Sequence, residues 1–461
     1  VNTILDPVAL ASWAGGVWDP APPANVAGVS NDTRTLPAGA LYVALRGPNF
    51  DGHTFVSAAF SRGACGAVVE ATFRSRDPGL GPVLRVPDVN IALRAMARGH
   101  RRRVDPEVVA VTGSAGKSTV KEMIAQCLGG TMPTACTRGN WNNEIGLPLS
   151  MLCLQPGCRA GVFELGTNHP GEIRALAAIL EPDWGVVTNI GPAHIENFGT
   201  LEAIAREKAD LLRSLPRDGL AVLDRDGACF DLLQAAAHGS VLTVSLTHPA
   251  DYVCLRRRPS DCEFEVAERR SGEHALVKVN QPGEHTVTNA LMAIAVARSQ
   301  GVGWDSILAA LASFAPLPMR WQCSETGGLL IINDAYNANP LSMSAALRSF
   351  EETTIRGDRW LVLADMLELG EAAESEHRKL GALVALGPWR GLVTVGRLGK
   401  VIAEAACEAG FKQDRIFACV SNREAAGRVT QETRPGDGVL FKGSRGMHLE
   451  EIVQHVAGVR G

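Results

Sequence analysis

No apolar run in the 461 residues approaches the roughly 18 needed to cross a bilayer. The opening Val1-Asn2-Thr3-Ile4-Leu5-Asp6-Pro7 lacks the basic start and apolar core of a secretory signal. The chain is therefore expected to be cytoplasmic, with no membrane span. A Cys-x-x-Cys pair is also missing, and eleven cysteines, an odd number, fit reduced buried thiols better than a disulfide framework or a zinc ribbon. Nor is there an excess of one charge: 45 basic residues face 49 acidic ones, which gives no global attraction to nucleic acid. The arginine triplets at 101–103 and 256–258 are too short to change that and are expected to be solvated faces or boundaries. There is no internal repeat and no low-complexity tract. The length exceeds what one hydrophobic core can serve and implies two to four domains.

What is present centres on residues 108–128. Val108-Val109-Ala110-Val111 suits a buried strand, Gly113-Ser114-Ala115-Gly116-Lys117-Ser118-Thr119 follows, and Val120, Met123, Ile124, Cys127 and Leu128 recur at helical spacing. The pattern predicts strand, phosphate loop and helix. Loop amides and the helix dipole would converge on an anion, the Lys117 ammonium would neutralise outer phosphates, and Ser118 could reach magnesium. Two residues separate the glycines, where the common phosphate loop has four.

Other strand ends deliver polar groups to the same edge. Gly161-Val162-Phe163-Glu164 closes an apolar strand on a carboxylate, a magnesium-ligand candidate because the carboxyl ends of parallel strands line the ligand crevice. Residues 184–188 lead to His194. The Asn-rich stretch Asn140-Trp141-Asn142-Asn143 either caps a helix or contacts phosphate or metal-bound water. Lys208, within a helical stretch at 201–215, reads as a surface lysine. His285 and Asn289 lie four apart on one helix face and either cap and pack or touch a base or ribose. In the first hundred residues Ser30, Asp32-Thr33-Arg34 and Asp51-Gly52-His53 read first as turns around a buried strand, and alternatively as loops holding a phosphorylated ligand. Residues 101–106 and 314–318 read as linkers. Beyond the second, strands near 329–333, 360–364, 392–395, 416–420 and 438–441 alternate with helices, the rhythm of a doubly wound sheet.

Taken together, Asn140-Trp141-Asn142-Asn143-Glu144-Ile145-Gly146, Glu164-Leu165-Gly166-Thr167-Asn168-His169-Pro170-Gly171-Glu172, Asp334-Ala335-Tyr336-Asn337-Ala338-Asn339-Pro340 and Asp365-Met366-Leu367-Glu368-Leu369-Gly370 resemble the Mur ligases of bacterial peptidoglycan synthesis. The short phosphate loop is similar to that of the wider superfamily, which includes folylpolyglutamate synthases. The closest resemblance is to the branch that adds D-alanyl-D-alanine. The Asp-Asn-Pro-Arg typical of MurE is absent.

The resemblance implies an α/β chain of three domains: residues 1–104 for a UDP-sugar-peptide, 105–316 for ATP, and 317–461 as a Rossmann-like domain. It implies ATP-dependent joining of D-alanyl-D-alanine to UDP-N-acetylmuramoyl-tripeptide through an acyl phosphate. A MurE-like ligase or a non-catalytic nucleotide-gated binder is the alternative. By the same resemblance, Gly113 to Thr119 bind ATP. Lys117 and Arg320 meet its phosphates, and His285, Asn289, Asp334 and Asn337 meet its nucleoside. Ser118, Glu164 and His194 hold two magnesium ions, and Lys208 becomes N6-carboxylysine. Ser30, Asp32, Thr33, Arg34, Asp51, Gly52, His53, Asn140, Asn142, Asn143, Thr167, Asn168 and His169 face the other substrates. A monomer is expected.

Overall fold

The computed structural model describes residues 4–460 apart from 75, 76 and 78. The described strands form three larger sheets and one two-stranded ribbon. The first sheet runs in the order Val17–Asp19, Val83–Val86, Gly66–Glu70, Leu41–Val43, Val29–Ser30, parallel except for its first pair. The second has nine strands. Thr134–Cys136, Ala160–Glu164, Glu107–Thr112, Trp184–Val187, Leu220–Asp224, Ser240–Ser245 and Tyr252–Arg258 are parallel, and Glu263–Glu268 and His274–Lys278 continue it antiparallel. This is the β-rich stretch that residues 240–280 suggest. The third sheet has Gln322–Thr326 antiparallel to Leu329–Asn333, then Gly438–Lys442, Arg359–Ala364, Gly391–Val395 and Ile416–Cys419, all parallel.

Burial explains why these strands read as continuous apolar runs. In Glu107–Thr112, Val108 and Ala110 enter one core while Val109 and Val111 enter another, so both faces are covered. In Arg359–Ala364, Leu361 and Leu363 take one side and Trp360, Val362 and Ala364 the other. Each such aliphatic side chain is worth ~1.5–3 kcal/mol when fully buried. A polar residue is thereby tolerated only where the strand leaves the sandwich.

Three sequence expectations change. Residues 101–104 are no linker, because the helix Val89–Val104 runs through them and only Asp105-Pro106 separates it from the next strand. Of its arginines, Arg102 and Arg103 are exposed as expected, but Arg101 is 7% exposed and donates to Asp183 Oδ2 and to the Glu181 carbonyl, both at 2.9 Å. Arg257 of the second triplet likewise bridges Glu284 and Glu352. The thiols are all free, yet Cys127, Cys158, Cys254 and Cys419 alone are fully buried, and Cys323 is exposed. The helix Glu284–Ser299 is buried almost all round from Asn289 to Ala297. No described helix is long and apolar enough to cross a membrane.

Candidate active site

The strand Glu107–Thr112 lies between Ala160–Glu164 and Trp184–Val187, with Val111 opposite Glu164 and Thr112 opposite Val187. All three carboxyl ends therefore reach one edge together. Gly113, at φ +151°, begins the loop, and a Cβ there would stand 1.9 Å from Thr188 Oγ1. Only glycine fits so close an approach. The following strand's loop grips the turn: Asn189 Oδ1 accepts from Ala115 N at 2.9 Å, and Thr188 Oγ1 and Asn189 Nδ2 donate to the Ala115 carbonyl. Ser114 Oγ bonds Gly191. The helix Lys117–Gly129 then starts from Gly116 at φ +78°. Its first-turn amides have no intrahelical partner and carry the positive end of the dipole.

Lys117 Nζ folds back to the Gly113 carbonyl at 2.9 Å, and burial lowers its pKa. Glu164 is 2% exposed; its Oε2 accepts from Ser118 Oγ at 2.5 Å and its Oε1 from Asn142 Nδ2 at 2.8 Å. Arg320, which follows the 314–318 crossover, donates from Nη2 to Ser118 Oγ at 3.0 Å and stacks 4.0 Å over the Tyr336 ring. The third sheet's loops thus touch the phosphate loop directly. Asn339 adds a second contact, capping the helix Pro340–Glu352 while its Nδ2 donates to the Ser114 carbonyl at 3.3 Å.

These groups enclose a cavity of about 690 Å³, lined by Ser114 to Thr119, Asn140, Asn142, Asn143, Glu164, Thr167, Asn168, His194, His285, Asn289, Arg320, Asp334 and Asn337. Within it the alternatives left by the sequence separate. Asn143 is a cap, its Oδ1 accepting from Ile145 N and Gly146 N, whereas Asn142 holds Glu164. Burial drives the His285 imidazole down to about 4, so it is neutral near pH 7. Both Asp334 oxygens are engaged, by Lys442 Nζ at 2.6 Å and Trp321 N at 3.0 Å. Asn337 Oδ1 accepts from Ala338 N. His194, whose pKa burial also lowers, has Nδ1 2.6 Å from Glu368 Oε2.

Lys208 overturns its reading as a surface lysine. It is 3% exposed, its Nζ makes no hydrogen bond or ion pair with a described residue, and burial, then Lys117, bring its pKa to about 7.

Several expected residues stand outside the cavity. His169 is exposed beside Glu172, whereas Thr167 stays in the cavity wall, its Oγ1 donating to the His169 carbonyl and to Glu207. In the first domain Asp32 pairs with Arg34, next to Ser30 and Thr33. Asp51 caps the short turn at Gly52 and accepts from His53 Nδ1 at 2.7 Å, while His53 Nε2 accepts from Glu70 N. Lys442, Tyr336, Asn189 and Asn339 are wall residues to which the sequence alone assigns no role. Lys442 ends a strand and carried a visible signal in Lys442-Gly443-Ser444-Arg445.

The donor set suits magnesium. A buried carboxylate and a hydroxyl are hard oxygen ligands, and magnesium takes one or two protein ligands together with substrate phosphates. Ser118 and Glu164 supply such a pair.

The chain matches the family models for the Mur ligase middle domain over residues 111–297 and the Mur ligase glutamate ligase domain over 319–445. It is 35% identical to the UDP-N-acetylmuramoyl-tripeptide–D-alanyl-D-alanine ligase of Bacillus subtilis, covering 93% of this chain and 92% of the relative. To the Escherichia coli enzyme of the same name it is 33% identical, covering 92% of each. A crystal structure of MurF from Acinetobacter baumannii superposes with a TM-score of 0.88 at 28% identity, over 99% of both chains. MurF from Thermotoga maritima in complex with ADP gives 0.81 at 27%, over 94% of this chain and 97% of that one. With these similarities spanning the phosphate loop and the walls contributed by the second and third sheets, the chain belongs to the Mur ligase family, in its MurF branch.

Proposed function

We infer that the chain is an ATP-dependent ligase that joins D-alanyl-D-alanine to UDP-N-acetylmuramoyl-tripeptide in peptidoglycan precursor synthesis. The carrying observation, beside its MurF relatives, is the cavity in which Lys117, Glu164 and Arg320 converge on the first turn of the phosphate-loop helix.

On this reading residues 1–104 hold the UDP-sugar-peptide, 105–316 bind ATP and 317–461 close over it. Asp32-Thr33-Arg34 and Asp51-Gly52-His53 serve the UDP end. Asn142, Asn168 and Thr167 lie along the path of the peptide. A carboxylate and an amine do not condense usefully in water, because the oxygen to be lost is a poor leaving group. The tripeptide carboxylate therefore attacks the γ-phosphate of ATP, giving an acyl phosphate and ADP. The amine of D-alanyl-D-alanine attacks that carbonyl, and phosphate leaves through a tetrahedral intermediate. Lys117 and Arg320 offset the charge that would hold carboxylate and triphosphate apart. Two magnesium ions, one held by Ser118 and Glu164 and one by His194, would add to that neutralisation. The neutral fraction of the Lys208 amine is available to take up CO2 as a carbamate, which turns a cation into an anionic oxygen ligand. His285 and Asn289 meet the nucleoside; a neutral imidazole suits contact with a base. The third domain excludes water from the acyl phosphate. The enzyme works as a monomer in the cytoplasm.

Phosphate release from ATP and magnesium, measured with each substrate alone and both together, tests this reading. Release that needs both, with the mass of the UDP-pentapeptide product, is expected. Absence of release from folded, ATP-binding protein, with either a diaminopimelate or a lysine tripeptide, would refute it.

A further inference from the structure

The strand Arg359–Ala364 leaves the third sheet through Asp365-Met366-Leu367-Glu368-Leu369-Gly370. This loop is tied down on both sides of Glu368. Asp365 Oδ1 accepts from Gly399 N at 2.6 Å, Met366 N donates to His377 Nε2 at 2.9 Å, and Leu367 N donates to Ser444 Oγ at 2.9 Å. Met366 and Leu369 are buried. Gly370, at φ +52°, sits against the central domain, where a Cβ would come within 2.8 Å of Glu196 Cβ.

Between these anchors Glu368 takes φ +64°, and His194, opposite it, takes φ +55°. Two residues other than glycine in the left-handed region, one from each domain, thus face each other across the cleft. Such conformations persist only where the surroundings impose them. Glu368 Oε2 lies 2.6 Å from His194 Nδ1, without hydrogen-bond alignment, and that buried nitrogen has no other partner among the described residues.

An imidazole has two nitrogens, and the partner of one decides which the other presents. When a carboxylate holds the proton on Nδ1, Nε2 is left as the basic nitrogen with its ring fixed in direction, the arrangement that metal-binding histidines use. Here histidine and carboxylate belong to different domains. The pair exists only while the third domain is seated on the central one.

We propose that Glu368 is a positioning residue for His194, fixing its tautomer and ring direction on closure and so coupling seating of the third domain to metal binding at His194. The proposal rests on the reading of His194 as a metal ligand. It differs from a plain interdomain contact such as Arg257 with Glu352, which ties the same two domains without touching a group in the cavity wall.

The test is Mn2+ binding to the full chain, followed by electron paramagnetic resonance with a non-hydrolysable ATP analogue and UDP-N-acetylmuramoyl-tripeptide. Glu368 is half exposed, so its truncation leaves the cores intact, and thermal melting verifies folding. Glu368→Ala is expected to weaken the Mn2+ site at His194 by ~10–100-fold. Glu368→Gln, whose carbonyl can accept a hydrogen bond from Nδ1 but carries no charge, weakens it less. In a His194→Ala background, removal of Glu368 adds no further loss. If His194→Ala weakens Mn2+ binding while Glu368→Ala leaves it within twofold, the proposal is overturned and the metal reading stands. If Glu368→Ala costs as much with His194 absent, the two do not act together and the proposal is also overturned. If His194→Ala itself has no effect, the metal reading falls and takes this proposal with it.

Discussion

Two sheets in this chain end parallel strands in polar loops, and they make different things of them. At the edge of the nine-stranded sheet, Lys117, Ser118, Glu164 and Asn142 line one deep cavity. At the edge of the first sheet, Asp32 is bonded to Arg34, and Asp51 to His53 and Arg46. The central edge has a second wall, brought by Arg320, Tyr336 and Asn339 from beyond residue 314, whereas the groups at the first edge are satisfied by near neighbours in sequence. Polar residues at strand ends thus announce a crevice. Only a facing element turns the crevice into a closed site.

The sharpest way to break the comparison is Lys117→Met. Removing the cation aimed at developing phosphate charge is expected to cost at least ~10²–10³-fold in kcat, read by phosphate release. An equal loss from Arg34→Met would erase the distinction between the two edges. Arg320→Lys keeps charge but loses the fork that reaches Ser118 and the plane that stacks on Tyr336. A loss of roughly tenfold in kcat/KM for ATP is expected, since the two cations differ in geometry rather than charge. Arg257→Ala removes a bridge between the central strand Tyr252–Arg258 and Glu352 at the end of a third-domain helix. An ion pair of this exposure is worth ~1 kcal/mol, so the ratio of closed to open molecules falls by about fivefold. Small-angle scattering in the presence of ATP and the UDP-peptide measures it, and an unchanged profile would mean that the cavity contacts alone hold the domains together.

How much of the molecule is legible in its sequence follows from the range of each signal. The strand, loop and helix at residues 107–129 are readable because glycines, lysine and apolar spacing lie within one short window. Glu164 is readable too, since a carboxylate closing an apolar strand is costly to bury unless it is paired or bound to a cation. Lys208 is not. Helical periodicity gives the face of a residue but not what the rest of the chain stacks against it, and here the residue is almost wholly enclosed. Arg101 misleads for the same reason: a charged triplet before a proline looks like a boundary until Asp183, some eighty residues later, is seen to meet it. Asn142 and Asn143 stand side by side with different tasks, which only their partners distinguish.

The smallest expected effect lies in acid, where the two edges should respond in separate pH windows. Burial holds His285 at about 4, below the ordinary 6.5, so between those values the unfolded chain binds the proton that the folded one refuses. Stability contributed by the neutral ring is fully present above pH 6.5 and is lost as pH falls through 6.5 toward 4. Asp32, held at about 2 by Arg34 against an ordinary 3.8, keeps its contribution throughout that window and loses it only below 3.8. Melting temperature followed from pH 7 to 4 should therefore fall less steeply in His285→Asn than in the parent, while Arg34→Ala runs parallel to the parent. Because the Asp32 pair is exposed to solvent, its own effect is a fraction of a degree at any pH. A shallower acid limb in Arg34→Ala than in the parent would show that the first edge is more enclosed in solution than its neighbour-satisfied loops imply.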